Sequence, residues 1–164
     1  MLDNKLGIIN EVELSKEEER LSKIKALKLF DLNNLKIGTF ECLSSIHEYL
    51  FNEIYSFAGK IRKENIAKGN FRFASSLYLE DILKKIDKMP ENNYDEIIKK
   101  YVEMNVAHPF REGNGRTNRE FIRQLALKNG YKLNLKKVMP EEVLNASIES
   151  IVDTNHLEKI FNIC

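Results

Sequence analysis

Between His108 and Arg119 the chain reads His-Pro-Phe-Arg-Glu-Gly-Asn-Gly-Arg-Thr-Asn-Arg, so an imidazole, a carboxylate, two glycines and several guanidinium groups fall within twelve residues. Gly113-Asn114-Gly115 directly precedes a helix. Glycines let successive backbone N–H groups turn toward one point, and the helix N-terminus adds partial positive charge, which together make an anion site. Arg116 and Arg119 stand three apart, so they can share the first helical turn. Their forks match phosphate oxygens. Glu112 would repel a phosphate unless a cation intervened, and one carboxylate plus phosphate oxygens is the usual way Mg²⁺ is held. His108, with an ordinary pKa of about 6.5, is often neutral in the cell and able to accept a proton. A base, a metal carboxylate, an N–H cradle and two arginines are the parts for transfer from a nucleotide. Singly, each part has an ordinary structural reading; their joint order carries the argument.

The elements that must position this loop are mostly helical, since three prolines and seven glycines punctuate the chain sparsely. Ser15-Lys-Glu-Glu18 reads as a capping box, followed by a helix with Leu21, Ile24, Leu27 and Phe30 near one face. A second helix is expected after Thr39, with Phe40, Leu43, Ile46, Leu50, Ile54 and Phe57 at helical spacing and Gly59 as its stop. Lys68-Gly69-Asn70 is a turn signal between two short segments, which predicts a small hairpin. Helices resume with Ile82, Leu83, Ile86 and Met89, ended by Pro90, and again from about Tyr94 through Asn105. After the loop a helix runs from about Gly115 to Asn129, with Gly130 as terminator. Two shorter helices are expected at the end, one after Pro140 and one near Asn155 to Ile163. The fold class is mainly α with one β-hairpin, and residues 1–164 read as one domain.

Composition agrees with a soluble globular chain, at 43% hydrophobic and 31% charged residues. With 26 basic against 25 acidic residues, no global field favours nucleic acid or an anionic membrane. Cys42 and Cys164 do not make a disulfide framework; Cys42 reads as a small core residue. His47, in an apolar helix, reads as a packing or hydrogen-bonding group, and His156 as exposed. No signal peptide and no membrane span is visible, so a cytoplasmic protein is expected.

The loop resembles the Fic family motif, His-x-Phe-x-(Asp/Glu)-Gly-Asn-Gly-Arg-x-x-Arg, at every specified position: His108, Phe110, Glu112, Gly113, Asn114, Gly115, Arg116 and Arg119. Upstream, Ile46-His47-Glu-Tyr-Leu50-Phe51 with Tyr55-Ser-Phe-Ala-Gly59-Lys-Ile-Arg62 is similar to the family's central helix. Ile66-Ala-Lys68-Gly69-Asn70-Phe-Arg72-Phe73-Ala74 is similar to its flap. The resemblance implies a Fic-fold helical bundle and a protein adenylyltransferase that moves AMP from ATP to a Ser, Thr or Tyr hydroxyl. By that resemblance His108 is the base and Glu112 holds Mg²⁺. Gly113, Asn114 and Gly115 cradle the phosphates, Arg116 and Arg119 take the β- and γ-phosphates, and Phe110 anchors the loop. The flap would hold an extended target segment by strand addition, with Ile66 and Lys68 as its contacts.

Two other functions compete. Doc-type relatives phosphorylate their target with the nucleotide reversed, and carry a lysine where this chain has Gly115, so the glycine favours AMP transfer. A non-catalytic nucleotide-binding module is the other. The resemblance further implies a toxin-like protein, with DNA topoisomerases among its target classes. Control in many relatives comes from a glutamate in Ser/Thr-x-x-x-Glu-Gly/Asn that pairs with the second motif arginine, here Arg119. Ser15/Glu19, Ser44/Glu48, Ser76/Glu80 and Thr154/Glu158 have the spacing, but none is followed by Gly or Asn. The expectation is therefore a separate antitoxin supplying that glutamate in trans, with Thr154/Glu158 as the internal alternative.

Overall fold

The computed structural model describes residues 2–28, 36–133 and 140–149. Helix α1 (Glu11–Ala26) starts at Asn10, whose side chain accepts from the Glu13 N–H at 3.0 Å. Glu11 and Glu13 place negative charge in the first turn, where free N–H groups favour it. The capping box expected at Ser15 is thereby corrected: the helix is already under way, because an asparagine upstream satisfies the free donors first. The expected packing face is corrected too. Leu21 is half-buried, Ile24 and Leu27 are exposed, and Phe30 lies outside the described residues. What α1 buries is Leu14, Glu18 and Ser22, a stripe at four-residue spacing that is mostly polar.

Helix α2 (Phe40–Phe51) is capped by Thr39, whose side chain accepts from the Cys42 N–H. It buries Cys42, Leu43, Ile46, His47, Leu50 and Phe51. It ends at Phe51 rather than near Gly59, which corrects the expected length. Ile54 and Tyr55 remain in the core because a tight turn follows, in which both their N–H groups donate to the Phe51 carbonyl at 2.9 Å. The expected hairpin is present: β1 (Ala67–Lys68) pairs antiparallel with β2 (Phe71–Arg72), Ala67 opposite Arg72 and Lys68 opposite Phe71. Gly69 takes the positive φ of 57° that the two-residue turn requires.

A single 3-10 turn at Ser76–Tyr78 leads into α3 (Leu79–Asp87), which buries Leu79, Leu83 and Ile86. Helix α4 (Tyr94–Ala107) is capped by Asn93 accepting from the Glu96 N–H at 3.0 Å. Helix α5 (Asn114–Lys128) and helix α6 (Pro140–Glu149) follow. The expected helix at 155–163 lies outside the described residues. Helix α5 packs between α2 and α4; α1 covers α2, α3 lies on α4, and α6 touches α4 and α5. The candidate loop, joining α4 to α5, is thus held from both sides of the bundle. Buried Lys100 on α4 pairs with Glu91 at 2.7 Å, and Lys128 on α5 reaches the same carboxylate at 2.5 Å. Among the described residues no helix is long and apolar enough to cross a membrane.

If Asn10 rather than Ser15 caps α1, Asn10→Ala will cost about 1 kcal/mol of unfolding free energy in urea melts. Ser15→Ala will cost nothing measurable, and equal losses in the two variants would restore the Ser15 cap.

Candidate active site

His108 ends α4 in a left-handed conformation, φ 48° and ψ 61°. It is the one non-glycine with positive φ among the described residues. Such backbone costs about 1–2 kcal/mol, so neighbours must hold it. The His108 N–H donates to the Met104 carbonyl at 3.1 Å. Buried Arg62 does more. Its Nε donates to the His108 carbonyl at 2.7 Å, and its terminal nitrogens donate to Ala107, Ala74 and Glu64 carbonyls at 3.2, 2.6 and 2.5 Å. Its own N–H donates to the Pro109 carbonyl at 2.8 Å. One guanidinium therefore binds the C-terminal end of α4, where positive charge is favoured, and ties loop to flap. The motif drew no role from Arg62, whose signal in the sequence is one arginine after an apolar segment.

The hydrogen bond to the His108 ring fixes its tautomer. Its Nδ1 lies 3.3 Å from the Asn105 carbonyl, which can only accept. So Nδ1 carries the hydrogen and Nε2 keeps its lone pair. The ring stacks on Phe73, just past β2, with centroids 3.8 Å apart. Burial, and then the charges of Arg62 and Lys68, pull its pKa down to about 4. Lys68, an exposed flap residue, is thus within electrostatic reach of His108, while Ile66 is half-buried and its carbonyl accepts from the Phe73 N–H at 3.3 Å. An Arg111–Glu64 ion pair also joins loop to flap.

Below His108 the loop is clamped. Phe110 is fully buried and stacks on His47 at 3.8 Å. Asn114 turns its amide back onto Phe110: Oδ1 accepts from the Phe110 N–H at 2.9 Å and Nδ2 donates to the Phe110 carbonyl at 2.7 Å. Its side chain closes the loop, so only its backbone remains for any further contact. His47 bridges two segments. The Gly59 N–H donates to Nδ1 at 2.9 Å, so Nε2 carries the hydrogen and donates to the Glu112 carbonyl at 2.8 Å. The Glu112 carboxylate is exposed, with one oxygen accepting from the Gly113 N–H at 3.0 Å.

The two glycines differ. Gly113 sits at φ 78°, and a Cβ there would meet the Phe51 ring at 2.5 Å. Gly115 has open space around the same position. The two arginines part company as well. Arg116 leans onto α1, donating to Ser22 Oγ at 3.0 Å and to the Glu18 carboxylate, with its guanidinium 5.0 Å from the Phe51 ring centroid. Arg119 is half-buried on the α4 side, where its charge acts on the Tyr101 phenol. Beneath them Asn118 Nδ2 donates to Asn105 Oδ1 at 2.5 Å, joining α5 to α4. Cys42 is a free, buried thiol that burial pushes up to about 11, an unreactive core residue.

These features define a histidine-containing loop closed onto a helix N-terminus, and residues 39–126 match the Fic/DOC family. The chain belongs to that family. Protein adenylyltransferase VbhT of Bartonella schoenbuchensis is 34% identical over 173 residues, covering 94% of this chain. The chain spans about a third of that relative, 34% of its length. The probable protein adenylyltransferase Fic of Salmonella typhimurium is 28% identical, over 98% of this chain and 86% of that one. Among solved structures, BepC of Bartonella tribocorum, determined with bound AMPPNP, shares the fold with a TM-score of 0.81 at 20% identity, over 98% of this chain and 90% of that one.

His47 gives a pH test. Burial pulls its pKa to about 4, while the unfolded value is about 6.5. Between these the unfolded chain binds a proton that the folded one refuses. The stabilisation is complete above pH 6.5 and is lost as pH falls toward 4, up to about 3 kcal/mol. His108 shifts in the same direction. Urea melts will show stability falling from pH 7 to pH 5, and His47→Gln will be less stable at pH 7 yet show a shallower fall. An equal slope in the variant would remove His47 from the account.

Proposed function

We propose that this protein transfers AMP from ATP to a Ser, Thr or Tyr hydroxyl of a target protein. The observation that carries the reading is His108, whose tautomer leaves Nε2 with a lone pair in the loop that leads into the N-terminus of α5. The names of the relatives support the same activity. In the proposed step His108 Nε2 takes the hydroxyl proton and the hydroxyl oxygen bonds to the α-phosphorus. The bond from that phosphorus to the bridging oxygen breaks, and pyrophosphate leaves. The N–H groups of Asn114 and Gly115 would receive phosphate oxygens, and that of Gly113 would do so on release from the Glu112 carboxylate it binds here, with Arg116 and Arg119 on the β- and γ-phosphates.

Glu112 is the residue that would hold Mg²⁺. A single exposed carboxylate beside the cradle fits an ion that takes its other ligands from phosphate and water, and no cluster of three acidic, histidine or cysteine side chains occurs among the described residues. Bound there, the ion would offset phosphate charge on the leaving pyrophosphate. The two-stranded flap has backbone edges able to take an extended target segment, with Ile66 and Lys68 as contacts. The proposed setting is a cytoplasmic toxin restrained by a separate antitoxin that supplies a glutamate to Arg119, with DNA topoisomerases as one target class. The internal alternative, Thr154/Glu158, lies outside the described residues.

Gly115 stands where Doc-type relatives carry a lysine and has open space around it, which supports AMP transfer over phosphate transfer. ATP labelled at the α-phosphorus will mark the target, and ATP labelled at the γ-phosphorus will not. The reverse pattern would establish phosphate transfer, and binding without either label would establish a nucleotide-binding module. His108→Ala will lower labelling by about two to four decades while ATP still binds. In the wild type the acid limb of kcat/KM will lie below pH 6.5, with no loss between pH 8 and pH 6.5, because the folded His108 stays neutral there. A limb at or above pH 6.5 would reject His108 as that base.

A further inference from the structure

The polar stripe on α1 lies outside the motif, yet it ends on one of the motif's arginines. Glu18 is only 5% exposed and Ser22 only 2%. Both oxygens of the Glu18 carboxylate are engaged: one accepts from Arg116, the other from the Tyr55 hydroxyl. Ser22 Oγ accepts from a second Arg116 nitrogen at 3.0 Å. Phe51 completes the seat beneath the guanidinium, and it is the same ring that forbids a side chain at Gly113. The Glu112 charge acts on the Tyr55 phenol, so this network borders the carboxylate of the cradle.

Two readings of such a contact are open in principle: a restraint that a phosphate must displace, or a brace that fixes the arginine for use. Burial decides between them. A buried carboxylate whose cationic partner leaves is uncompensated, one of the costlier single losses in a folded protein. A nucleotide that pulled Arg116 away would have to supply that loss. Arg116 keeps further N–H groups beyond the two that bind Glu18 and Ser22, and its side chain is 34% exposed. It can meet a phosphate without leaving its seat. Burial lowers its pKa to about 10, which still leaves it charged at neutral pH.

We infer that Glu18, with Ser22, is a positioning residue for nucleotide binding, fixing the Arg116 guanidinium from α1 so that it meets the polyphosphate pre-oriented. This deepens the proposed function, since it rests on Arg116 meeting phosphate. Glu18 touches no substrate; its effect passes through Arg116. It therefore belongs to the ATP site although it stands 98 residues from Arg116 in the chain.

The test is equilibrium binding of ATP and of AMP, by calorimetry, to the wild type, Glu18→Gln, Ser22→Ala, Arg116→Ala and the Glu18→Gln/Arg116→Ala pair, with a thermal melt of each. Glu18→Gln is expected to weaken ATP at least fivefold while changing AMP less than twofold. Ser22→Ala should move ATP affinity the same way by a smaller factor, and it decides the matter if Glu18→Gln does not fold. The double variant should bind ATP no more weakly than Arg116→Ala, because Glu18 has nothing left to position. Unchanged ATP affinity in folded Glu18→Gln or Ser22→Ala, or losses that simply multiply in the double variant, would overturn the inference. Tighter ATP binding in Glu18→Gln would replace it with the restraint reading. A wild type that binds no ATP would instead sink the proposed function.

Discussion

A neutral imidazole in the centre of the bundle holds the site together. His47 accepts from the Gly59 N–H and donates to the Glu112 carbonyl, and both bonds can exist only in one neutral tautomer. Protonation would put hydrogen on Nδ1, against the Gly59 donor. The ring also lies flat on Phe110, so one side chain sets the loop's height above α2 and the direction in which Glu112 points. Full burial keeps the tautomer in place by penalising the charged form. The loop is thus fixed by a core residue, although it lies at the surface end of α5.

His108 shows the complementary use of the same side chain. Its Nδ1 is the protonated nitrogen, bound to a carbonyl of its own helix, and Nε2 is left with a lone pair. The left-handed backbone turns the ring out of the helix end, where Phe73 of the flap segment can stack on it. That conformation persists because Arg62 collects carbonyls from His108, Ala107, Ala74 and Glu64. Helix terminus and flap are consequently one unit. A substrate segment lying along the flap would be referenced to His108 through a single buried guanidinium.

The family was legible in the sequence because its motif is local: its specified positions lie within one loop and one helical turn. The hairpin was legible for the same reason, through Gly69-Asn70. Phe110 as anchor followed from the family resemblance, and His47 as a bonded core residue from the apolar helix that carries it. Long-range polar contacts were not legible. The buried face of α1 carries Glu18 and Ser22, which any apolar periodicity assigns to solvent, so the reading chose Leu21, Ile24 and Leu27 instead. Arg62 was invisible as a hub because its partners are backbone carbonyls, which carry no sequence signature. The end of α2 was misjudged because Ile54 falls on the helical repeat even though a turn delivers it to the core.

Gly113 and Gly115 separate what the fold needs from what a ligand would need. Gly113 is fixed twice, by a positive φ and by the Phe51 ring where a Cβ would stand. Packing alone explains it, and it would be required in a loop that bound nothing. Gly115 meets neither demand: it lies inside α5 and has open space before it. Glycine in a helix interior costs about 1 kcal/mol relative to alanine; at the second residue of α5 the cost is smaller, and no neighbour among the described residues requires it. The position faces outward from the first turn of α5, where N–H groups are free to bind an anion. A glycine that no described neighbour requires, in the first turn of a helix, is a position where a side chain could be added without disturbing the fold.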